Sequence, residues 1–199
     1  MKKNKEILQD NIKKISQKEL ITEINRESYK EKYIKILKST IYSLIIILAI
    51  SILAATLIMP VLEISGSSMS PILNEGEIVI SIKNKKLNTG DIIAFYHGNK
   101  ILTKRVIAKP GNWVNIDKDG LVYIDGNLLK EDYIKEKTLG SSNIEYPYQV
   151  PAEHWFVLGD DRHETIDSRN SDIGSISKEN IIGKIVFRIW PLKKFGFIS

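Results

Sequence analysis

Apolar and polar positions follow three different patterns along the chain. Near the N-terminus, Ile7, Leu8, Ile12 and Ile15, then Leu20, Ile21 and Ile24, recur at roughly helical spacing. That spacing predicts a soluble or membrane-surface helix, with a partner-binding helix as the alternative. From Ile41 to Leu62 the chain reads "IYSLIIILAISILAATLIMPVL", 22 residues without a charge. A helix of that length is about 30 Å long, enough to cross a hydrocarbon core. Ser43, Ser51 and Thr56 can bond back to helix carbonyls, and Pro60 marks where the helix stops. A cleaved signal peptide would have a shorter apolar core and a shorter leader before it. A core helix would show a polar face. The pattern therefore predicts a transmembrane anchor.

From Glu63 onward the period shortens. "GEIVISI", "DIIAFY", "ILTKRVIAK", "WVNID", "LVYID" and "HWFVLGD" are short β-branched and aromatic runs, separated by Gly, Asn and Asp. "VYIDGNLL" predicts a hairpin around Asp125–Gly126. Strands at this spacing, with no long helical period between them, predict an all-β domain. Lys130 to Gln149 is polar and irregular, and reads as an excursion at the domain edge. The expected organisation is a basic, helical tail (1–38), an anchor helix (39–61) and a β-rich domain (62–199).

Charge orients this arrangement. The net charge is +5, and the segment Met1–Lys38 carries all of it, with eleven Lys/Arg against six Asp/Glu. A nucleic-acid-binding domain would keep its positive charge on the folded part. An excess just before an apolar span instead predicts a cytoplasmic N-terminus and an external C-terminal domain. The absence of cysteine excludes disulfides, thiol nucleophiles and thiolate metal sites. The acidic residues Asp160, Asp161, Asp167 and Asp172 lack the spacing of a calcium loop, so no metal is expected.

The chemistry centres on "EISGSSMSPIL", a turn rich in serine directly after the apolar run. Serines in a Gly/Pro turn are ordinarily turn residues. One acting as a nucleophile needs a base. None of the three histidines, His97, His154 and His163, stands in a pattern that marks a catalytic one. Lysine is the other choice, provided burial favours its neutral form. In "ILTKRVIA" a strand would place Leu102, Lys104, Val106 and Ala108 on one side, and Thr103, Arg105 and Ile107 on the other. Lys104 between Leu102 and Val106 could be desolvated. It could equally be an edge lysine that blocks strand pairing.

Three blocks then occur in order: Ser68-Met69-Ser70-Pro71, Lys104-Arg105 with Pro110-Gly111, and Gly159-Asp160-Asp161-Arg162 with Asp167-Ser168-Arg169. Gly90-Asp91-Ile92 adds a shorter one. Together, behind an N-terminal apolar segment, they resemble type I signal peptidase in its compact Gram-positive form. The lysine at 104 separates the chain from eukaryotic-type members, which have histidine there.

The resemblance implies a mainly β catalytic domain of the signal-peptidase type, tethered to the cell membrane by one N-terminal helix. It implies Ser68 as nucleophile and Lys104 as general base, with no cofactor. The main oxyanion donor would be the Ser68 backbone N–H. Some members add a serine hydroxyl two positions earlier. Here that position is Gly66, so its backbone, or a rearranged Ser65 or Ser67, would have to serve. Thr165 matches the hydroxyl that orients the lysine. Arg105, Asp160, Asp167 and Arg169 match ion pairs that support the site, and Met69 matches a position near the substrate. The implied substrates are the signal peptides of exported preproteins, cut after small residues of Ala-x-Ala type. The implied surroundings are the lipid bilayer and the export channel. Two other readings compete: a Ser–Lys self-cleaving protein like the SOS repressors, and a non-catalytic or specialised relative that binds secreted or surface-fibre proteins.

Overall fold

The computed structural model describes residues 2–83, 86–163 and 166–198. The chain divides into two units, 1–54 and 55–199. The first is helical throughout its described residues and belongs to α1 (Lys2–Ile58). Over Gln17–Leu53, α1 is long and apolar enough to cross a membrane. Its hydroxyls do what an apolar setting requires: Thr40 donates to the Ile36 carbonyl (3.0 Å), Ser43 to Thr40 (2.8 Å) and Ser51 to Ile47 (2.8 Å). The spaced apolar residues of the tail, Ile7, Leu8, Leu20, Ile21 and Ile24, are all exposed on this helix.

The second unit opens with the last turn of α1, closed by a bond from Met59 N–H to the Ala55 carbonyl (2.7 Å). Pro60 has no N–H to continue the helix. The end of the apolar run is therefore strand, not helix. The strands are β1 (Val61–Glu63), β2 (Ile78–Ile82), β3 (Ile92–His97), β4 (Lys100–Ala108), β5 (Trp113–Ile116), β6 (Val122–Ile124), β7 (Asn127–Leu128), β8 (Tyr148–Gln149), β9 (His154–Leu158), β10 (Ile176–Ser177), β11 (Ile181–Trp190) and β12 (Gly196–Phe197). The main sheet has the order β1-β2-β11-β3-β4-β9-β10, with β12 paired to β11, and the smaller one β7-β6-β5-β8. The recorded pairings are all antiparallel. The β6–β7 hairpin turns at Asp125 (φ 50°) and Gly126 (φ 81°), the positive-φ pair that a tight two-residue turn needs.

The main sheet is covered on both faces. On β3, Ile92 and Ala94 pack with Ile64, Met69, Leu73, Val79 and Ile185, while Ile93 and Phe95 join Leu87, Val106, Trp155, Val157 and Ile176. This two-sided burial is why "IIAF" reads as an unbroken apolar run. A third cluster, including Ile107, Ala108, Val114, Phe156 and Leu158, lies under the smaller sheet. One expectation for β4 changes here. A register shift between Val106 and Ala108 turns Ala108 away from Val106, so it packs beside Ile107.

The longest strand, β11, was absent from the strands expected. Lys184 and Arg188 interrupt its apolar residues four positions apart, which looks like a surface pattern. Both cations are in fact paired within the fold. Lys184 Nζ lies 2.6 Å from Asp91 Oδ1, and Arg188 Nε lies 2.8 Å from the buried Glu77. β11 sits between β2 and β3 and joins the half that carries Ser68 to the half that carries Lys104.

Candidate active site

Ser68 lies in the loop that connects β1 to β2. The loop is tied at its ends by Ile64 N–H to Glu77 O (2.8 Å) and Gly76 N–H to Ile64 O (2.9 Å), and at its tip by Ser70 N–H to Ser67 O (2.8 Å). Ile64, Met69 and Leu73 are its apolar pegs in the core. Met69, expected near the substrate, is thus a core side chain directly beside a half-buried Ser68. Gly66 has φ +83°, a conformation that L side chains rarely adopt. The missing serine at this position therefore has a backbone reason.

Lys104 stands on β4 opposite Ile93 and is only 2% exposed. The two halves meet at Gly159, just past β9. A Cβ on Gly159 would lie 2.7 Å from the Ser68 carbonyl oxygen and 3.5 Å from Lys104 Nζ. Those two atoms are thus no further apart than the sum of these distances. Asp161 N–H also donates to the Ser68 carbonyl (3.0 Å), clamping the serine turn to the loop after β9.

Gly159 is itself held on both sides. Its N–H donates to Asp167 (3.2 Å), and its carbonyl accepts from Arg162 Nε (3.0 Å). Asp167 takes two bonds from the Arg169 guanidinium (2.9 and 2.8 Å) and a third from the Arg169 backbone N–H (3.1 Å), and both side chains are buried. Arg105 and Asp160 form a second buried two-bond pair (2.8 and 2.7 Å), and Arg105 also donates to Gly90 O (2.7 Å). Burial pushes the Asp160 carboxyl above its ordinary value, against the opposing pull of Arg105. The expected supporting pairs are therefore internal, not solvated.

The segment Lys130–Gln149, expected to be a polar excursion, supplies further supports. Glu131 is buried and pairs with Arg162. The Tyr133 ring lies 4.1 Å from the Arg105 guanidinium, and its hydroxyl donates to Glu131 (2.7 Å). Burial and the Glu131 charge push the Tyr133 hydroxyl well above its usual range. Leu139 O accepts from Arg169 (2.7 Å). Sequence reasoning assigned no role to Glu131, Tyr133, Gly159 or Arg162. One signal was present. Three arginines stand in the matching blocks, but only two carboxylates were assigned to them, so a third acid was owed.

Thr165 lies outside the described residues. His154 bonds Ala152 O (2.8 Å), His163 bonds Glu136 (2.9 Å), and both histidine contacts are exposed. Among the described residues, no group of three or more His, Cys, Asp or Glu side chains is placed to hold a metal.

A profile of the family described as "Signal peptidase, peptidase S26" matches residues 37–190. The "Inactive signal peptidase IA" of Staphylococcus aureus is 33% identical over 174 residues, covering 83% of this chain and 96% of that protein. The "Thylakoidal processing peptidase 1, chloroplastic" of Arabidopsis thaliana is 34% identical over 149 residues, covering 66% of this chain and 42% of that longer protein. A crystal structure of a signal peptidase I from Enterococcus faecalis aligns at 31% identity with a TM-score of 0.42, covering 50% of this chain and 97% of that one. The profile takes in the serine turn, the lysine strand and the loop after β9, and on that match the chain belongs to the signal peptidase S26 family.

Proposed function

We propose that the protein is a membrane-anchored signal peptidase that removes signal peptides from exported preproteins, with Ser68 as nucleophile and Lys104 as general base. The observation that carries this reading is the approach of a buried Lys104 amine and the Ser68 backbone to the same glycine. Burial penalises an ammonium relative to a neutral amine, which is the form able to take a proton. Lys104 removes the Ser68 hydroxyl proton as the oxygen attacks the carbonyl that follows a small residue. The Ser68 N–H stabilises the resulting oxyanion. When the C–N bond breaks, Lys104 returns the proton to the leaving amine and an ester to Ser68 remains. Water attacks that ester, Lys104 takes one of its protons, and as the C–O bond to Ser68 breaks Lys104 gives that proton to Ser68 Oγ, leaving a free carboxyl product and the restored hydroxyl. Thr165 would orient the amine, and the two buried ion pairs would hold the frame.

On this reading the tail (1–38) is cytoplasmic, α1 crosses the cell membrane once, and the β domain works outside, beside the bilayer and the export channel. A second reading is favoured by one observation: a relative that matches most of the chain is named inactive. A non-catalytic binder of secreted proteins would keep the fold without the turnover.

The test is cleavage of a preprotein with an Ala-x-Ala site by the full chain in detergent, compared with Ser68→Ala and Lys104→Ala, with the cut located by mass spectrometry. Cleavage after the small residue, lost in both variants, is expected. A folded wild type that binds the preprotein without cutting it would move the assignment to the binder.

A further inference from the structure

At the end of the main sheet, where β2 and β3 finish and β11 begins, lies a cavity of about 510 Å³. Leu62, Leu87, Tyr96, Trp155, Ile181 and Ile182 line it, together with Pro60 and the exposed Lys83 and Lys178. Neither Ser68 nor Lys104 contributes. Its size suits a small-molecule ligand, for which about 300–1,000 Å³ is usual. Leu62 and Ile182 belong to the packing on one face of the sheet, and Leu87, Trp155 and Ile181 to that on the other. The cavity therefore wraps round the sheet's end and is not a gap within one core.

One further observation points to an occupant. The cavity is built onto the end of the apolar helix. Lys83 N–H donates to the carbonyl of Ile58, the last residue of α1 (3.4 Å), and Ser81 N–H to that of Pro60 (2.9 Å). From Leu53 to Ile58 the helix rises only about 8 Å. If α1 crosses the membrane, as proposed above, covalent connection alone keeps the cavity at the bilayer surface.

We propose that this cavity is a lipid site that takes one acyl chain of an anionic glycerophospholipid. The apolar walls receive the chain, and the exposed Lys83 and Lys178 attract the phosphate. The proposal rests on α1 being a membrane span, and its test separates the two.

The full chain is reconstituted into phosphatidylcholine vesicles that contain phosphatidylglycerol with a diazirine on one acyl chain. After irradiation, labelled residues are mapped by mass spectrometry. Label is expected on Ile41–Leu53 and also at Leu87, Ile181 and Ile182. Lys83→Gln and Lys178→Gln together should lower the cavity label several-fold without changing label on the helix. Moving the diazirine to phosphatidylcholine should lower it too. Label on Ile41–Leu53 with background at the cavity would overturn the lipid site and leave the anchor standing. Background at both would remove the anchor and the site together. Cavity label displaced by a saturating signal-peptide substrate would assign the cavity to the substrate instead.

Discussion

Gly159→Ala probes the point where the serine and lysine halves meet. The glycine's φ lies outside the left-handed region, so alanine brings no backbone penalty and the experiment isolates a clash. The new Cβ would stand 2.7 Å from the Ser68 carbonyl oxygen and 3.2 Å from that of Asp161, both backbone atoms. Optimal carbon contacts lie near 3.5 Å, so the serine turn and the loop after β9 must separate by about 0.5–1 Å. The Asp161 N–H to Ser68 O bond spans that gap and lengthens with it. Overpacking of this kind destabilises by about 1–3 kcal/mol. For a domain of this size that lowers Tm by roughly 2–10 °C. A misplacement near 1 Å at a reacting group lowers the rate by about 10²-fold, so kcat/KM should fall roughly 10- to 100-fold. The assay is steady-state cleavage of an Ala-x-Ala preprotein beside a thermal melt. Gly126→Ala is the control, since its φ of +81° brings strain but no atom lies within 4 Å of its Cβ. It should lose stability and keep its rate. A Gly159→Ala enzyme with wild-type rate and Tm would refute the close approach of Ser68 to this loop.

Three other outcomes follow from the same geometry. Lys104→Met replaces a buried amine by an apolar side chain of similar length, so cleavage should vanish while the chain stays folded; a cutting variant would exclude Lys104 as the base. Gly66→Ser should not raise kcat/KM, despite offering a second oxyanion hydroxyl, and should lower stability by about 1 kcal/mol because the site needs positive φ; a faster and equally stable variant would contradict this. For Asp160→Asn the observable is a pH trend. The folded carboxyl titrates above its unfolded value near 3.9, so this group's contribution to wild-type stability is full below that value and fades as pH rises through the folded one. Wild type should therefore gain stability relative to Asp160→Asn in urea melts on acidification through that window; a relative loss would mean that Arg105 outweighs burial.

Local structure was legible in the sequence, and long-range support was not. The strand runs around "DIIAFY" and "ILTKRVIAK" and the Asp-Gly hairpin are set by residues a few positions apart, and all appear as expected. The serine turn could be read because Gly66, Met69 and Pro71 act on their own neighbours. The Ala108 face was misread because a bulge is decided by the partner strand β9. β11 was missed because the partners that neutralise Lys184 and Arg188, Asp91 and Glu77, lie about a hundred residues away. Lys130–Gln149 looks solvated for the same reason. Its Glu131 is polar in sequence and buried only because Arg162 arrives from another loop.

The central position of β11 also sets when the domain can exist. Its neighbours β2 and β3 are complete by His97, but the strand between them begins at Ile181. At roughly 5–20 residues per second of synthesis, that leaves them waiting on the order of 5–20 s with facing edges unpaired. Pairing of such high sequence separation is also intrinsically slow. The nascent chain therefore has a period in which its apolar strands are open to aggregation and to the proteases that patrol unfolded segments. Ser68 and Lys104 are both made long before the strand that joins their halves, so the two come together only after Trp190 has been added.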